Sequence, residues 1–318
     1  MDGEGRSRPL RSWARDRRLR RAGSDPSTGL VPFPLDVDGC TRTGLLARAA
    51  DPSAPLLVVL HGAGGTGAGM AALTRLHRRG PAVGVSVAFP DGVGRVWNDH
   101  RGAPRLRRRE DVDDVAFLQQ LVEQLAGPDA DPRRVAFAGI SNGALMSEHL
   151  ARHALVPVGT IALVAGAATV RSRSEVPVPR RPCSVLLFAG TADPLVPFAG
   201  GPIGFSRLVG GRRSDAVGDL EPAPRGVAVA VESVAADWVV ADGLGGVAPA
   251  SVPVAGAGLP VTHVRWSAPG HRSVDLWRID GGGHTWPGGT QYLPSRLVGP
   301  VAPGLDASGA ILTAVRSR

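Results

Sequence analysis

The chain has 318 residues, 43% of them hydrophobic and 20% charged, with 43 glycines, 28 prolines and a formal net charge of +8. That length supports one large α/β domain or two small ones with a sizeable buried core, and the composition is that of a globular protein rich in turns. In residues 1–22, eight arginines outweigh Asp2, Glu4 and Asp16, which places +5 of the charge in one tail. Every basic residue is arginine, and no recognition signature accompanies them, so nucleic acid is excluded as a partner.

Cys40 and Cys183 stand far apart with no C-x-x-C or histidine-rich neighbourhood, so neither a metal site nor any other cofactor is expected. No apolar run approaches the roughly 18 residues of a membrane span. The basic start lacks the continuous apolar segment and cleavage site of an export signal. As written, the chain is expected in the cytoplasm, and outside the cell if its true start lies elsewhere.

Residues 1–30, polar and basic, are expected to be a disordered tail ahead of one domain over 31–318. Residues 35–48 read as an edge hairpin turning at Asp38-Gly39. The apolar run Pro55 to Leu60 suits a strand buried on both faces, and a helix from Gly67 to Arg79 follows. Next come a strand from Ala82 to Phe89, a polar loop containing Trp97-Asn98-Asp99, and a helix from Asp111 to Leu125 capped by Asp111. Val115, Leu118, Val122 and Leu125 recur at helical spacing in it.

Strands are then expected at Val135 to Ala138, Thr160 to Ala165 and Ser184 to Ala189. Residues 199–226 read as an inserted loop, and Val227, Val231, Val234 and Trp238 mark one face of a helix from Val227 to Ala241. Two strands, Val261 to Trp266 and Val274 to Ile279, precede a last helix from Asp306 to Val315. Strands alternating with helices imply an α/β fold: a doubly wound, mostly parallel sheet with helices on both faces.

The segment VAFAGISNGALM (135–146) is strand, G-x-S-x-G turn, helix. A serine on so tight a turn presents its hydroxyl, and the flanking glycines permit close approach of strand and helix. In an open parallel sheet ligands bind at the carboxyl ends of strands. His61-Gly62, Ser141, Asp193 and His284 each follow an apolar run, and the chain order Ser, Asp, His is that of the α/β hydrolases.

Acyl-transfer chemistry then assigns the parts. Ser141 is the nucleophile, His284 the base that takes its proton, and Asp193 the acid that orients the imidazole. The N–H groups of Asn142 and Ala63 would hold the oxyanion. The remaining histidines are weaker candidates for the base: His77, His149 and His153 lie in helices, His100 in a loop, and His263 and His271 in or beside a hairpin.

Six segments carry a resemblance: LLVVLHGAGGTG (56–67), FPDGVGRVWND (89–99), DVDDVAFLQQLVEQL (111–125), RRVAFAGISNGALMSEHLA (133–151), GTADPLVPFAGG (190–201) and GGGHTWPGG (281–289). Over residues 35–315 the chain resembles the polyhydroxybutyrate depolymerase and feruloyl esterase family, an α/β-hydrolase branch that includes LpqC-like lipoproteins. The resemblance implies a serine esterase with Ser141, Asp193 and His284 as triad, acting on a small or oligomeric ester without cofactor. It also suggests Trp97 and Trp286 as walls of the substrate pocket.

Asp113 and Asp114 match the family's paired acids but are explained by capping and first-turn charge. Relatives often pair a cysteine at the position of Cys183 with one in an N-G-C segment. Here Ala241-Asp242-Gly243-Leu244 occupies that place, leaving Cys40 as the one other thiol. An acetyl-carbohydrate esterase, a serine peptidase or a non-catalytic binding protein on the same fold are the alternatives.

Overall fold

The computed structural model describes residues 29–37, 39–101, 112–204 and 226–317. Residues 1–28 of the expected tail, the cap at Asp111 and most of the 199–226 loop lie outside them.

A hairpin of β1 (Val31–Val37) and β2 (Cys40–Ala47) comes first, with Val37 opposite Cys40. Gly39, at φ +76°, supplies the left-handed backbone that a two-residue turn requires. Then follow β3 (Leu56–Leu60), α1 (Gly67–Thr74), α2 (Leu76–Ala82), β4 (Ser86–Pro90) and α3 (Asp114–Ala126). Next are β5 (Val135–Ile140), α4 (Asn142–Arg152), β6 (Thr160–Val164), α5 (Val170–Glu175) and β7 (Ser184–Gly190). A small ribbon pairs β8 (Gly201–Pro202) with β9 (Val227–Ala228), and α6 (Val231–Ala241) follows. The chain continues through β10 (Ala250–Pro253), β11 (Val261–Trp266), β12 (Val274–Ile279), α7 (Ser295–Val298) and α8 (Ala307–Arg316).

Among the described residues, ten strands form one sheet in the order β1-β2-β4-β3-β5-β6-β7-β12-β11-β10. From β4 to β12 all neighbours are parallel, and antiparallel strands close both edges. Successive side chains of a strand point to opposite faces, and β3 uses both. Leu56, Val58 and Leu60 pack with Phe117, Leu118, Leu150 and Trp238 from α3, α4 and α6. Leu57 and Val59 face the other way, onto Met70, Leu76, Ile311 and Leu312 from α1, α2 and α8. Burial on both faces is why these strands read as continuous apolar runs rather than alternating ones.

Several element boundaries differ from expectation. The helix expected from Gly67 to Arg79 breaks at Arg75, whose φ of +56° is left-handed. Its second half runs on through Ala82, so β4 begins at Ser86. Asp113 caps α3, accepting from the Ala116 N–H at 2.8 Å. Val227 pairs in the ribbon instead of starting a helix, because α6 begins only at Val231. The short elements β10, α5 and α7 carry too little periodicity to be read from sequence.

Candidate active site

Ser141 sits between β5 and α4 at φ +57° and ψ −121°. A non-glycine residue there costs on the order of 1–3 kcal/mol and needs its surroundings to hold it. The Ser141 N–H donates to Val164 O at the end of β6 (2.9 Å), and its carbonyl accepts from Leu145 N–H (3.0 Å), which starts α4. The two glycines of the motif are required by contact. A Cβ on Gly139 would lie 2.4 Å from the Gly143 carbonyl, and one on Gly143 would lie 2.4 Å from Leu60 O.

Asp193 follows β7 and His284 follows β12, adjacent strands of the sheet. His284 Nδ1 lies 2.7 Å from Asp193 Oδ2, with the residues 3% and 5% exposed. The other carboxylate oxygen accepts from Leu195 N–H (2.8 Å) and Val196 N–H (2.9 Å), so its direction is set by the backbone. A carboxylate can only accept, so the imidazole carries its proton on Nδ1 and leaves Nε2 free to accept one. Ser141 stands at the same carboxyl edge, two strands from Asp193. Its hydroxyl has no hydrogen-bond partner among the described residues; in free enzymes such contacts commonly tighten only around substrate.

The loop bearing His284 is held from three sides. Its N–H donates to Val298 O (2.5 Å), and its carbonyl accepts from the Tyr292 hydroxyl (2.6 Å). Burial, together with the charge of Asp193, pushes the Tyr292 phenol up to about 12 and keeps it a donor. Gly283 packs so tightly that a Cβ would come within 2.1 Å of Val298 O. Sequence reasoning missed Tyr292, and its one signal was being the single tyrosine, eight residues past His284.

On the opposite side, His61 is fully buried and satisfied by backbone. Its Nε2 accepts from Gly92 N–H (3.0 Å) and its Nδ1 donates to Gly62 O (2.8 Å). Desolvation lowers its pKa, so it is neutral and structural. Gly64 N–H donates to Arg95 O (2.7 Å) and Gly65 N–H to Gly62 O (2.8 Å). The N–H groups of Ala63 and Asn142 donate to no partner among the described residues.

The two tryptophans are not pocket walls. Trp97 is 0% exposed, stacked on Phe117 with its indole N–H on His61 O (2.9 Å). Trp286 is also 0% exposed and donates to Ser308 Oγ (3.1 Å) on the other face of the sheet. Rings without accessible surface cannot line a substrate cleft. Leu145, Val196, Ile203 and Ala228 form a small buried apolar cluster of their own, with Leu145 four residues past Ser141 and Val196 three past Asp193.

Other histidines are engaged elsewhere. His263 pairs with Asp275 (2.8 Å) and stacks on Trp277 within the antiparallel strands. His271 bonds Asp242 O and His77 bonds Ala71 O. Cys40 is exposed and Cys183 buried, and no disulfide joins them. Among the described residues no group of three or more His, Cys, Asp or Glu side chains is placed to hold a metal ion. Nor is any helix there long and apolar enough to cross a membrane.

NocK of Nocardia uniformis subsp. tsuyamanensis, an esterase by name, is 32% identical over 255 residues, covering 78% of this chain and 70% of its own. The chain belongs to the NocK esterase family. No family model matches it. Acetyl xylan esterase from Aspergillus awamori superposes with a TM-score of 0.50 at 12% identity, covering 80% of this chain and 94% of that one. That likeness shows the α/β-hydrolase fold which the sheet order displays. S-formylglutathione hydrolase FrmB from Staphylococcus aureus is a more distant likeness, with a TM-score of 0.39, 11% identity and coverage of 52% and 80%. Within the NocK family, then, this chain is an ester hydrolase on an α/β-hydrolase scaffold.

Proposed function

We propose that the protein is a serine esterase that works through an acyl-enzyme, with Ser141, His284 and Asp193 as its triad and the N–H groups of Ala63 and Asn142 as its oxyanion donors. The observation that carries the proposal is the 2.7 Å pair of His284 and Asp193 at the sheet edge where Ser141 occupies its strained turn. Ser141 Oγ attacks the ester carbonyl while His284 Nε2 takes its proton, and the oxyanion forms against the two N–H groups. Collapse expels the alcohol, which receives the proton from His284. Water, activated by the same imidazole, then releases the acid and restores the serine. Asp193 keeps the imidazole in the correct tautomer and stabilises its cation.

For the acyl group, the proposal is a short hydroxyalkanoate ester in preference to a hydroxycinnamoyl one. Trp97 and Trp286 are sealed in the core, so neither offers an aromatic wall for a cinnamoyl ring. Two measurements test this. Ser141→Ala should abolish p-nitrophenyl butyrate hydrolysis and fluorophosphonate labelling without changing the circular dichroism spectrum; full activity would end the assignment. Hydroxybutyrate oligomers should be cleaved with higher kcat/KM than methyl ferulate or acetylated xylan, and the reverse order would move the substrate class.

A further inference from the structure

Neither oxyanion N–H makes a hydrogen bond of its own that would set its place among the described residues. The Ala63 N–H lies in a loop and the Asn142 N–H is the first of α4, and both are unpaired among the described residues. Oxyanion stabilisation requires donors about 2.7–3.1 Å from where charge develops, so the spacing between the two segments must be held by something else. We infer that residues 91–99 form a clasp across them, with Asp99 and the side-chain amide of Asn142 as positioning residues for the oxyanion site. The inference rests on the proposed role of Ser141.

The clasp grips each segment separately. Toward the Ala63 loop it makes four bonds: Gly92 N–H to His61 Nε2 (3.0 Å), the Trp97 indole N–H to His61 O (2.9 Å), Gly64 N–H to Arg95 O (2.7 Å), and Arg95 Nε to Gly65 O (3.2 Å). Toward α4 it uses one side chain. Asn142 Oδ1 accepts from Trp97 N–H (2.7 Å), while its Nδ2 donates to Trp97 O (3.0 Å) and to Asp99 Oδ2 (2.7 Å). Both amide protons and the carbonyl are therefore used, at a residue 1% exposed. Trp97 contacts both sides at once, His61 through its indole and Asn142 through its backbone.

Asp99 locks the amide. It is 1% exposed, and its second oxygen lies 3.1 Å from the Arg101 guanidinium. Burial pushes its carboxyl up, opposed by the charge of Arg101 and the bond from Asn142. A buried carboxylate is tolerated only when paired and hydrogen-bonded, and here the pairing aims one oxygen at the Asn142 amide. A neutral acceptor in place of that carboxylate holds the amide less strongly, which loosens the two-point hold of Trp97 on the first residue of α4.

The test is steady-state kinetics of Asn142→Ala and Asp99→Asn, expressed per Ser141 labelled to completion by a fluorophosphonate, so that misfolded protein is not counted. Misplacing a donor affects the transition state more than the bound ester. Expected are a kcat lower by about 10- to 100-fold for Asn142→Ala, about 10-fold for Asp99→Asn, and KM within about twofold in both. Affinity for butylboronic acid, whose adduct on Ser141 is tetrahedral, should fall in parallel with kcat. Values of kcat per labelled site within twofold of wild type in both variants would overturn the clasp, as would lost kcat with unchanged boronate affinity. Failure of wild-type Ser141 to label would instead remove the proposal beneath it.

Discussion

His284 Nδ1 and Asp193 Oδ2 are 91 residues apart in the chain and 2.7 Å apart in space. The contact exists because β7 and β12 are parallel neighbours, with Ile279 opposite Gly190, so both loops leave the sheet at one edge. Gly190 and Gly282 let those loops meet: a Cβ on Gly190 would lie 2.2 Å from Gly282 O.

Asp193→Asn is the first prediction drawn from this pair. The amide oxygen can still accept from Leu195 and Val196, but its NH2 then faces His284 Nδ1 and drives the proton to Nε2. The wrong tautomer cannot take the serine proton. Loss of about 10³- to 10⁴-fold in kcat is expected at neutral pH, with a thermal midpoint close to wild type. Retention of activity within tenfold would remove Asp193 from the mechanism.

A second prediction concerns the underside of the clasp. Arg42 on β2 bonds Asp114 Oδ1 (2.5 Å) and lies over the Phe117 ring, and Asp114 Oδ2 accepts from Asn98 N–H (2.7 Å). Both ions are almost fully buried. Arg42→Met should cost about 3–5 kcal/mol in denaturant unfolding because it strands a buried carboxylate. Adding Asp114→Asn should recover part of that loss; equal or greater destabilisation in the double variant would contradict the ion-pair account.

Acid stability supplies a third. His149 on α4 is 5% exposed, stacked on His100 and tilted against His153, with Nδ1 unpaired among the described residues. Burial, then the charges of His153, His100 and Arg171, lower its pKa to about 3. The folded state thus refuses a proton that the unfolded chain takes below about pH 6.5. Its contribution is intact above that pH and is lost as pH falls, by about 2 kcal/mol between pH 7 and pH 5. His149→Phe should flatten the fall in unfolding free energy over that interval, and an unchanged slope would place the acid sensitivity elsewhere.

Much of this was legible before any coordinates. Apolar runs such as Leu56 to Leu60 report burial on both faces, and a period of two or of 3.6 is a property of local backbone geometry. The turn at Ser141 was legible because Gly139 and Gly143 admit backbone contacts that no Cβ survives. The strand-end placement of His61, Ser141, Asp193 and His284 followed from the rule that parallel sheets present their loops at one edge.

Other features depend on which surfaces meet after folding. Trp97 and Trp286 were expected at the substrate, yet each ring is sealed beneath a different face of the sheet, since an indole near a catalytic loop in sequence can point into either core. The break at Arg75 and the pairing of Val227 leave no mark on the apolar period. Asn142 shows the division most clearly. That its N–H follows the serine of a tight turn is a matter of covalent order and can be read from the residues alone. That its side chain bridges to Trp97 and Asp99 emerges on folding, because a hydrogen bond across 43 to 45 residues is created by packing.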